Sequence, residues 1–399
     1  MGDRLTGVSA PPAMGVAVVR RGEPPRVVAH AGDDVVDVAA LADAGLLPAD
    51  GMWRQPSLNA FLGRGPDVWV SVGQRLAEVI ADARTGGSRT RDRVASAFHA
   101  IGSVALLLPV EIGDYVDFYA SEQHATNVGR ILRPGQEPLA PAWRHLPIGY
   151  HGRSGTVVVS GTPVQRPCGQ RAGDDGAPVF APTERLDVEV EVGFVVGVGS
   201  RHFEPVAVDA FAEHVFGICL VNDWSARDIQ AWETRPLGPF LGKSFATTMS
   251  AWVTPLAALA AARLPVPSGQ TSLLPYLRET QPWGLDLSLE LRVNGEVRSR
   301  PPYRSMFWSA AQMLAHLTVN GASIRTGDLY ASGTVSGDRP DQLGSLLELT
   351  GNTAFLADGD EVVITGTAPG ADGTRIEIGE VRGTVLPALS ARTEEEPPG

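Results

Sequence analysis

Lysine is nearly missing from this chain: of its 33 basic residues in 399, only Lys243 is a lysine and the rest are arginine. Cysteine is equally scarce. Cys168 and Cys219 are the two thiols, without the Cys-x-x-Cys or Cys/His spacings of a zinc site, so neither a disulfide framework nor a thiolate metal site is expected. Long apolar runs are absent as well. The richest stretches, Ile101 to Val110 and Ala251 to Ala262, are too short to span a bilayer, and the first residues hold no apolar core of signal-peptide length. Positive charge is in deficit too, with a formal net charge of −12 and no basic patch interleaved with aromatics. Nucleic acid and anionic membranes are therefore excluded as partners. A small-molecule ligand and a cytoplasmic location are the expectations.

What is present is a globular composition, long enough for one large or two ordinary domains. Residues 1 to about 50 carry short Val-rich runs divided by Gly, Pro and Asp, which predicts a small β-domain. Apolar residues then recur at helical spacing from Val68 to Ala83 and from Arg91 to Ile101. Beyond about residue 105 strand patterns dominate, at 155–160, 186–197, 215–221, 287–293 and 361–365. The charged tail Arg392-Thr-Glu-Glu-Glu-Pro-Pro-Gly is expected to be disordered. No internal repeat or low-complexity block occurs.

The solitary lysine lies in Gly-Pro-Phe-Leu-Gly-Lys243-Ser-Phe, a segment with no neighbouring charge. Lys offers a compact, titratable point charge where Arg offers a permanent planar fork, so position 243 is a candidate for catalysis. A chance survivor of an Arg-biased composition is the competing explanation.

Three segments concentrate carboxylates. Leu186-Asp187-Val-Glu189-Val-Glu191-Val alternates strictly, so as one strand it sets three carboxylates on one face, either as an exposed acidic surface or as a hard-cation site. Asp223 falls where an apolar strand runs into a helical segment, placing it with Arg227 and Gln230 on one helical face or making it an N-cap. Asp117 and His124, seven positions apart, share a face if the segment between them is helical, and a neutral His there can act as general base.

These segments sit within longer motifs: Ser57-Leu-Asn-Ala-Phe-Leu-Gly, Ile112-Gly-Asp-Tyr-Val-Asp-Phe-Tyr, Gln123-His-Ala-Thr-Asn-Val-Gly, Leu146-Pro-Ile-Gly-Tyr-His-Gly-Arg, Val158-Val-Ser-Gly-Thr-Pro, Asn222-Asp-Trp-Ser-Ala-Arg-Asp-Ile-Gln, Pro236-Leu-Gly-Pro-Phe-Leu-Gly-Lys-Ser-Phe, Gly327-Asp-Leu-Tyr-Ala-Ser-Gly-Thr and Gly344-Ser-Leu-Leu-Glu-Leu. Over nearly its whole length the chain resembles the fumarylacetoacetate hydrolase family. The resemblance implies a mainly β (α+β) fold, with a small SH3-like N-terminal barrel and connecting helices over residues 1–105, a β-roll catalytic domain over 106–389 and a tail over 390–399. It also implies a homodimer and a divalent cation, Mg²⁺ or Ca²⁺, held by Asp117, Glu189, Glu191 and Asp223. The implied reaction is hydrolysis of the carbon–carbon bond of 4-fumarylacetoacetate, a diketo acid, to fumarate and acetoacetate at the end of tyrosine and phenylalanine breakdown.

By the same resemblance His124 is the base that activates water, with Glu348 beside it, and Arg227, Gln230 and Lys243 stabilise the oxyanion. Tyr119, Arg133, Tyr150, Gly333 and Thr334 match substrate-contacting positions; read alone, the tyrosines are also plain core aromatics and Arg133 a solvated loop residue. Asp187 falls outside the implied ligand set and is expected to be solvated or to lie just behind the ligands. The rival readings are another enzyme of the superfamily acting on a 2-keto acid (a hydratase, isomerase or decarboxylase) and a non-catalytic calcium-binding protein. A four-carboxylate set without sulfur or clustered imidazole suits a hard cation either way.

Overall fold

The computed structural model describes residues 10–85, 94–267, 269–270 and 273–389. The tail expected to be disordered, 390–399, lies outside the described residues. Three Val-rich runs of the N-terminal segment form the antiparallel strands Met14–Val18, Arg26–Ala31 and Asp34–Asp37. The helix Pro66–Thr85 follows the spacing read from the sequence: Trp69, Val72, Leu76, Val79, Ile80 and Ala83 are its buried stripe. That stripe packs into a cluster with Trp53, Phe61 and Phe216, whose rings meet edge to face or tilted at about 5.5–5.6 Å.

The second helical stretch expected, Arg91 to Ile101, is helical at Val94, its first described residue, and departs from an α-helix after it. A 3-10 turn at Ala95–Ala97 leads into the strand Phe98–Ala100, which pairs with Asp34–Val36, and residues 91–93 lie outside the described part. Pairing with an open sheet edge outweighs a helical spacing too short to bury a face of its own.

The N-terminal strands join the rest through hydrogen bonds between Met14–Val18 and Trp252–Pro255. A 13-stranded sheet results, in which Trp252–Pro255, Val215–Asp223, Val190–Val196, Leu329–Ala331, Tyr115–Phe118 and Gly149–His151 lie side by side. A second, five-stranded sheet contains Ser288–Val293, Glu361–Pro369 and Arg375–Leu386. Every residue of Val190–Val196 and Val215–Asp223 is buried, because both faces of the large sheet are covered. Val192, Phe194, Ile218 and Leu220 face one core cluster, and Val195, Phe216, Cys219 and Val221 face the cluster that includes the N-terminal helix.

This parity positions the acidic residues. Tyr115 on the strand Tyr115–Phe118 and Val195, Cys219 and Val221 on its neighbours all face the N-terminal cluster, so Asp117, Glu191 and Asp223, each an even number of residues away, share that face. Three adjoining strand systems thus bring three carboxylates to one place.

Candidate active site

Two local expectations change in detail. The alternating stretch from Leu186 to Val192 is not one continuous strand: Leu186–Asp187 pairs with Ser225–Ala226, Glu189 makes an isolated bridge with Ser345, and Val190–Val196 begins a separate ladder. The three carboxylates part accordingly, with Glu189 and Glu191 in the site and Asp187 behind it. Far from being solvated, Asp187 is fully buried. Asp117 stands on a strand, not on the helix of His124, which begins only at Glu122 with Ser121 as its cap. Asp223 ends its strand and caps nothing; the cap position of the helix Arg227–Glu233 is Ala226, without a side-chain bond.

Asp117, Glu189, Glu191 and Asp223 are all buried, and one oxygen from each lies within 4.8 Å of the others. Asp117 Oδ1 and both Glu191 oxygens have no hydrogen-bond partner among the described residues. Burial, reinforced by the neighbouring carboxylates, pushes the Asp117 and Glu191 carboxyls well above their ordinary range. Orphaned, mutually repelling oxygens at this spacing fit a hard divalent cation, which takes oxygen ligands at roughly 2.0–2.6 Å. Glu189 differs. Burial opposes its ionisation, yet Arg227, Lys243 and His124 around it hold its carboxyl well below the usual range.

Lys243 is 6 % exposed, and its ammonium bonds Glu189 and, at 2.8 Å, Asp223 Oδ2. Although burial works against the charge, those two carboxylates raise its pKa above the ordinary lysine value. Its loop is pinned locally. Glu233, at the end of the helix Arg227–Glu233, accepts from Phe240 N and Gly242 N at 3.1 and 2.7 Å. At Gly242 an added Cβ would stand 2.8 Å from Gln230 Cα, so only glycine lets the lysine loop lie against that helix. Thr247 and Tyr150 complete the setting of Asp223, donating at 2.9 and 3.0 Å.

His124 has its Nδ1 at 2.7 Å from Glu348 Oε2 and its Nε2 at 3.9 Å from Glu189 Oε1. A carboxylate only accepts, so in the neutral imidazole Nδ1 carries the proton and the lone pair is on Nε2, which faces the carboxylate cluster. Burial alone would raise the Glu348 carboxyl. The facing His124 and the bonds from His124, Asn127 and Ser345 outweigh it and keep Glu348 below its ordinary value. Asn127 donates to Glu348 Oε1 at 2.9 Å, and the Ser336 and Ser345 hydroxyls to Oε2 at 3.0 and 2.8 Å.

These groups open onto a cleft of about 480 Å³. Of the site residues expected from sequence, only Asp223 and Glu348 do not line it; Tyr119, Arg133, Tyr150, Gln230, Gly333 and Thr334 all do. Asp223 is reached from a second opening of about 320 Å³ beyond Lys243, and Glu348 lies behind His124. Gly333 has φ +73°, and a Cβ there would lie 2.0 Å from Phe118 O, so the turn that brings Thr334 to the cleft requires glycine. Asn127, Thr247, Ser336 and Ser345 escaped the sequence reading. Asn127, three residues after His124 on one helix face, and Ser345, three residues before Glu348 at a helix cap, did leave a signal.

A crowded carboxylate pocket that fits a hard cation, flanked by a carboxylate-paired imidazole and by fixed guanidinium and ammonium donors, is the architecture of an enzyme. Its family follows from comparison: residues 115–386 match the family model "Fumarylacetoacetate (FAA) hydrolase C-terminal", and residues 14–109 match "Fumarylacetoacetase N-terminal". The chain belongs to the fumarylacetoacetate hydrolase family. It is 42% identical over 399 residues to the fumarylacetoacetase of Rattus norvegicus, covering 94% of this chain and 95% of the relative. To the fumarylacetoacetase of Homo sapiens it is 44% identical over 396 residues, covering 92% and 94%. The solved fumarylacetoacetate hydrolase of psychrophilic Exiguobacterium antarcticum shares the fold, with a TM-score of 0.58 at 17% identity, over 94% of this chain and 100% of that one.

Proposed function

We propose that this chain hydrolyses fumarylacetoacetate to fumarate and acetoacetate, closing tyrosine and phenylalanine breakdown. The observation that carries the reading is His124, fixed by Glu348 on one side and turned towards the four-carboxylate cluster on the other. Asp117, Glu189, Glu191 and Asp223 would hold a divalent cation, Mg²⁺ or Ca²⁺, which would supply Lewis-acid polarisation of the substrate when bound.

His124 Nε2 takes a proton from water as its oxygen adds to the fumaryl carbonyl carbon, and Glu348 keeps the resulting imidazolium oriented and paired. Arg227, Gln230 and Lys243 face the oxyanion so formed, and each preorganised donor of this kind contributes roughly 3 kcal/mol. Lys243 spends two of its three N–H bonds on Glu189 and Asp223, which leaves one for the cleft. Collapse of the adduct breaks the carbon–carbon bond, and its electron pair leaves as the acetoacetate enolate. Lys243 is placed to return a proton to that carbon, a role open to an ammonium and closed to a guanidinium. Tyr119, Arg133, Tyr150, Gly333 and Thr334 hold the substrate's ends.

We also take residues 1–105 and 106–389 as the N-terminal and catalytic units, with the former in the barrel form of the family, and the enzyme as a cytoplasmic homodimer. Among the described residues no helix is long and apolar enough to cross a membrane. A decarboxylase of the superfamily has no need of a water-activating base, so the His124–Glu348 pair favours the hydrolase over that reading. The test is loss of the substrate's diketo absorbance, with product analysis, in the presence of cation or chelator. Cation-dependent release of fumarate and acetoacetate supports the reading; survival of the substrate with cation bound overturns it.

A further inference from the structure

Asp187 has no part in the chemistry just described: it is outside the cation cluster and does not line the cleft. Its carboxylate is nevertheless the meeting point of two separate pieces of the site. Oδ2 accepts from Arg227 Nε at 2.8 Å and lies 2.7 Å from Arg227 Nη2. The same carboxylate accepts from the backbone N–H groups of Leu346 and Leu347, at 2.8 and 3.2 Å, and from Val188 N at 2.8 Å. Leu346 and Leu347 open the short helix Leu346–Leu349 that carries Glu348. Pairing of Asp187 with Ser225, two residues before Arg227, makes the arrangement stiff.

We propose that Asp187 is a positioning residue that fixes the oxyanion-side Arg227 and the base-orienting Glu348 in one register. Two consequences follow from the charge it carries. Arg227 also bonds Glu189 at 2.7 Å and Gln230 at 3.2 Å. Without a counter-charge at 187, the buried guanidinium is left with Glu189 alone and is drawn onto the carboxylate that the cation needs. The second consequence concerns donors. Five N–H groups converge on Asp187, and a carboxylate can serve them with two oxygens, whereas an amide presents its own NH₂ to either Arg227 or the 346–347 turn.

The inference rests on the hydrolase reading for its kinetic part only. In the cation-loaded full-length protein, Asp187→Asn is expected to speed hydrogen exchange at the Leu346 and Leu347 amides and at Arg227 Nε–H by about tenfold or more, while melting stays cooperative. Turnover of fumarylacetoacetate is expected to show kcat lowered roughly 100-fold with KM changed less than about threefold. Combining Asp187→Asn with Glu348→Gln is expected to cost less than about tenfold beyond the worse single variant, since residues that act as a unit are not additive. Should Asp187→Asn fail to fold, Asp187→Glu keeps the charge but moves it one methylene away, and the same losses are expected. Unchanged exchange, kcat within about twofold of the parent, or losses that multiply in the double variant overturn the proposal. A parent protein that leaves fumarylacetoacetate untouched sinks the hydrolase reading instead, and the exchange comparison still decides the role of Asp187.

Discussion

The imidazole of His124 and the carboxylate of Glu348, 224 residues apart in sequence, meet at 2.7 Å, and this contact turns the opposite ring nitrogen towards the carboxylate cluster. Replacing Glu348 by Gln keeps the shape but offers an amide N–H to Nδ1, which favours the wrong tautomer. A fall in kcat of roughly 10³-fold is expected for Glu348→Gln and at least as much for His124→Asn, with KM and cation affinity changed little. Steady-state kinetics at saturating cation check it; a His124→Asn variant retaining a tenth of the activity would remove His124 from the mechanism.

Glu191 has both oxygens buried and unpartnered among the described residues, so in the cation-free protein its charge is a liability. Glu191→Gln is expected to melt higher than the parent without cation. The parent should gain about 2.7 kcal/mol of stability at a cation concentration 100 times Kd, and the variant should gain almost none. Thermal denaturation with chelator, Mg²⁺ and Ca²⁺ reads both arms. A variant still stabilised like the parent would show that the cation binds elsewhere.

Lys243 is held between Glu189 and Asp223, a space suited to a compact ammonium. Lys243→Arg is therefore expected to behave like Lys243→Ala, each lowering kcat by roughly 10²- to 10³-fold. Full activity in the arginine variant would assign position 243 to charge balance alone.

Stability should also depend on pH through Glu279, away from the site. Burial pushes its carboxyl up to about 7, against a bond from Ser309 that pulls the other way. The folded state thus keeps a proton that the unfolded chain releases near 4.5, so the contribution is full below that pH and is lost as pH rises towards 7. Its size is roughly 2 kcal/mol once partial solvent access is allowed for. Glu279→Gln stays neutral and still accepts from Ser309, so at pH 8 it should melt about 3 °C above the parent and at pH 4.5 no higher. Parallel pH–melting curves would contradict the assignment.

Part of this site stood out in the sequence by residue type and spacing, namely one lysine, a run of alternating carboxylates, and a histidine beside aromatic and acidic neighbours, whereas Glu348, Tyr119, Arg133, Tyr150, Gly333 and Thr334 came only with the family resemblance. The reasons for their grouping were less accurate than the grouping itself. Asp117 and His124 line one cleft from a strand end and a helix start, not along one helix face, and Asp223 joins the acidic cluster by strand parity. Partners supplied from far along the chain were invisible. Asp187 reads as solvated or as lying just behind the ligands until its donors are found 159 and 160 residues away, and nothing near Ser336 marks it as a donor to Glu348. The strand Phe98–Ala100 was lost for the same reason, since its pairing edge belongs to residues 34–36.

The burial of Lys243 gives the folded protein an unusual surface: the sequence contains no other lysine, so no lysine amine stands exposed to reagents. Amine-directed acylation at lysine then becomes a single-residue clock. Its rate reports how often the loop carrying Lys243 lifts from Glu189 and Asp223, a local opening measured against the stability of the whole. The mass increment on the peptide containing Lys243, followed over time with and without the cation, would translate the mobility of the cleft wall into a number without any substrate.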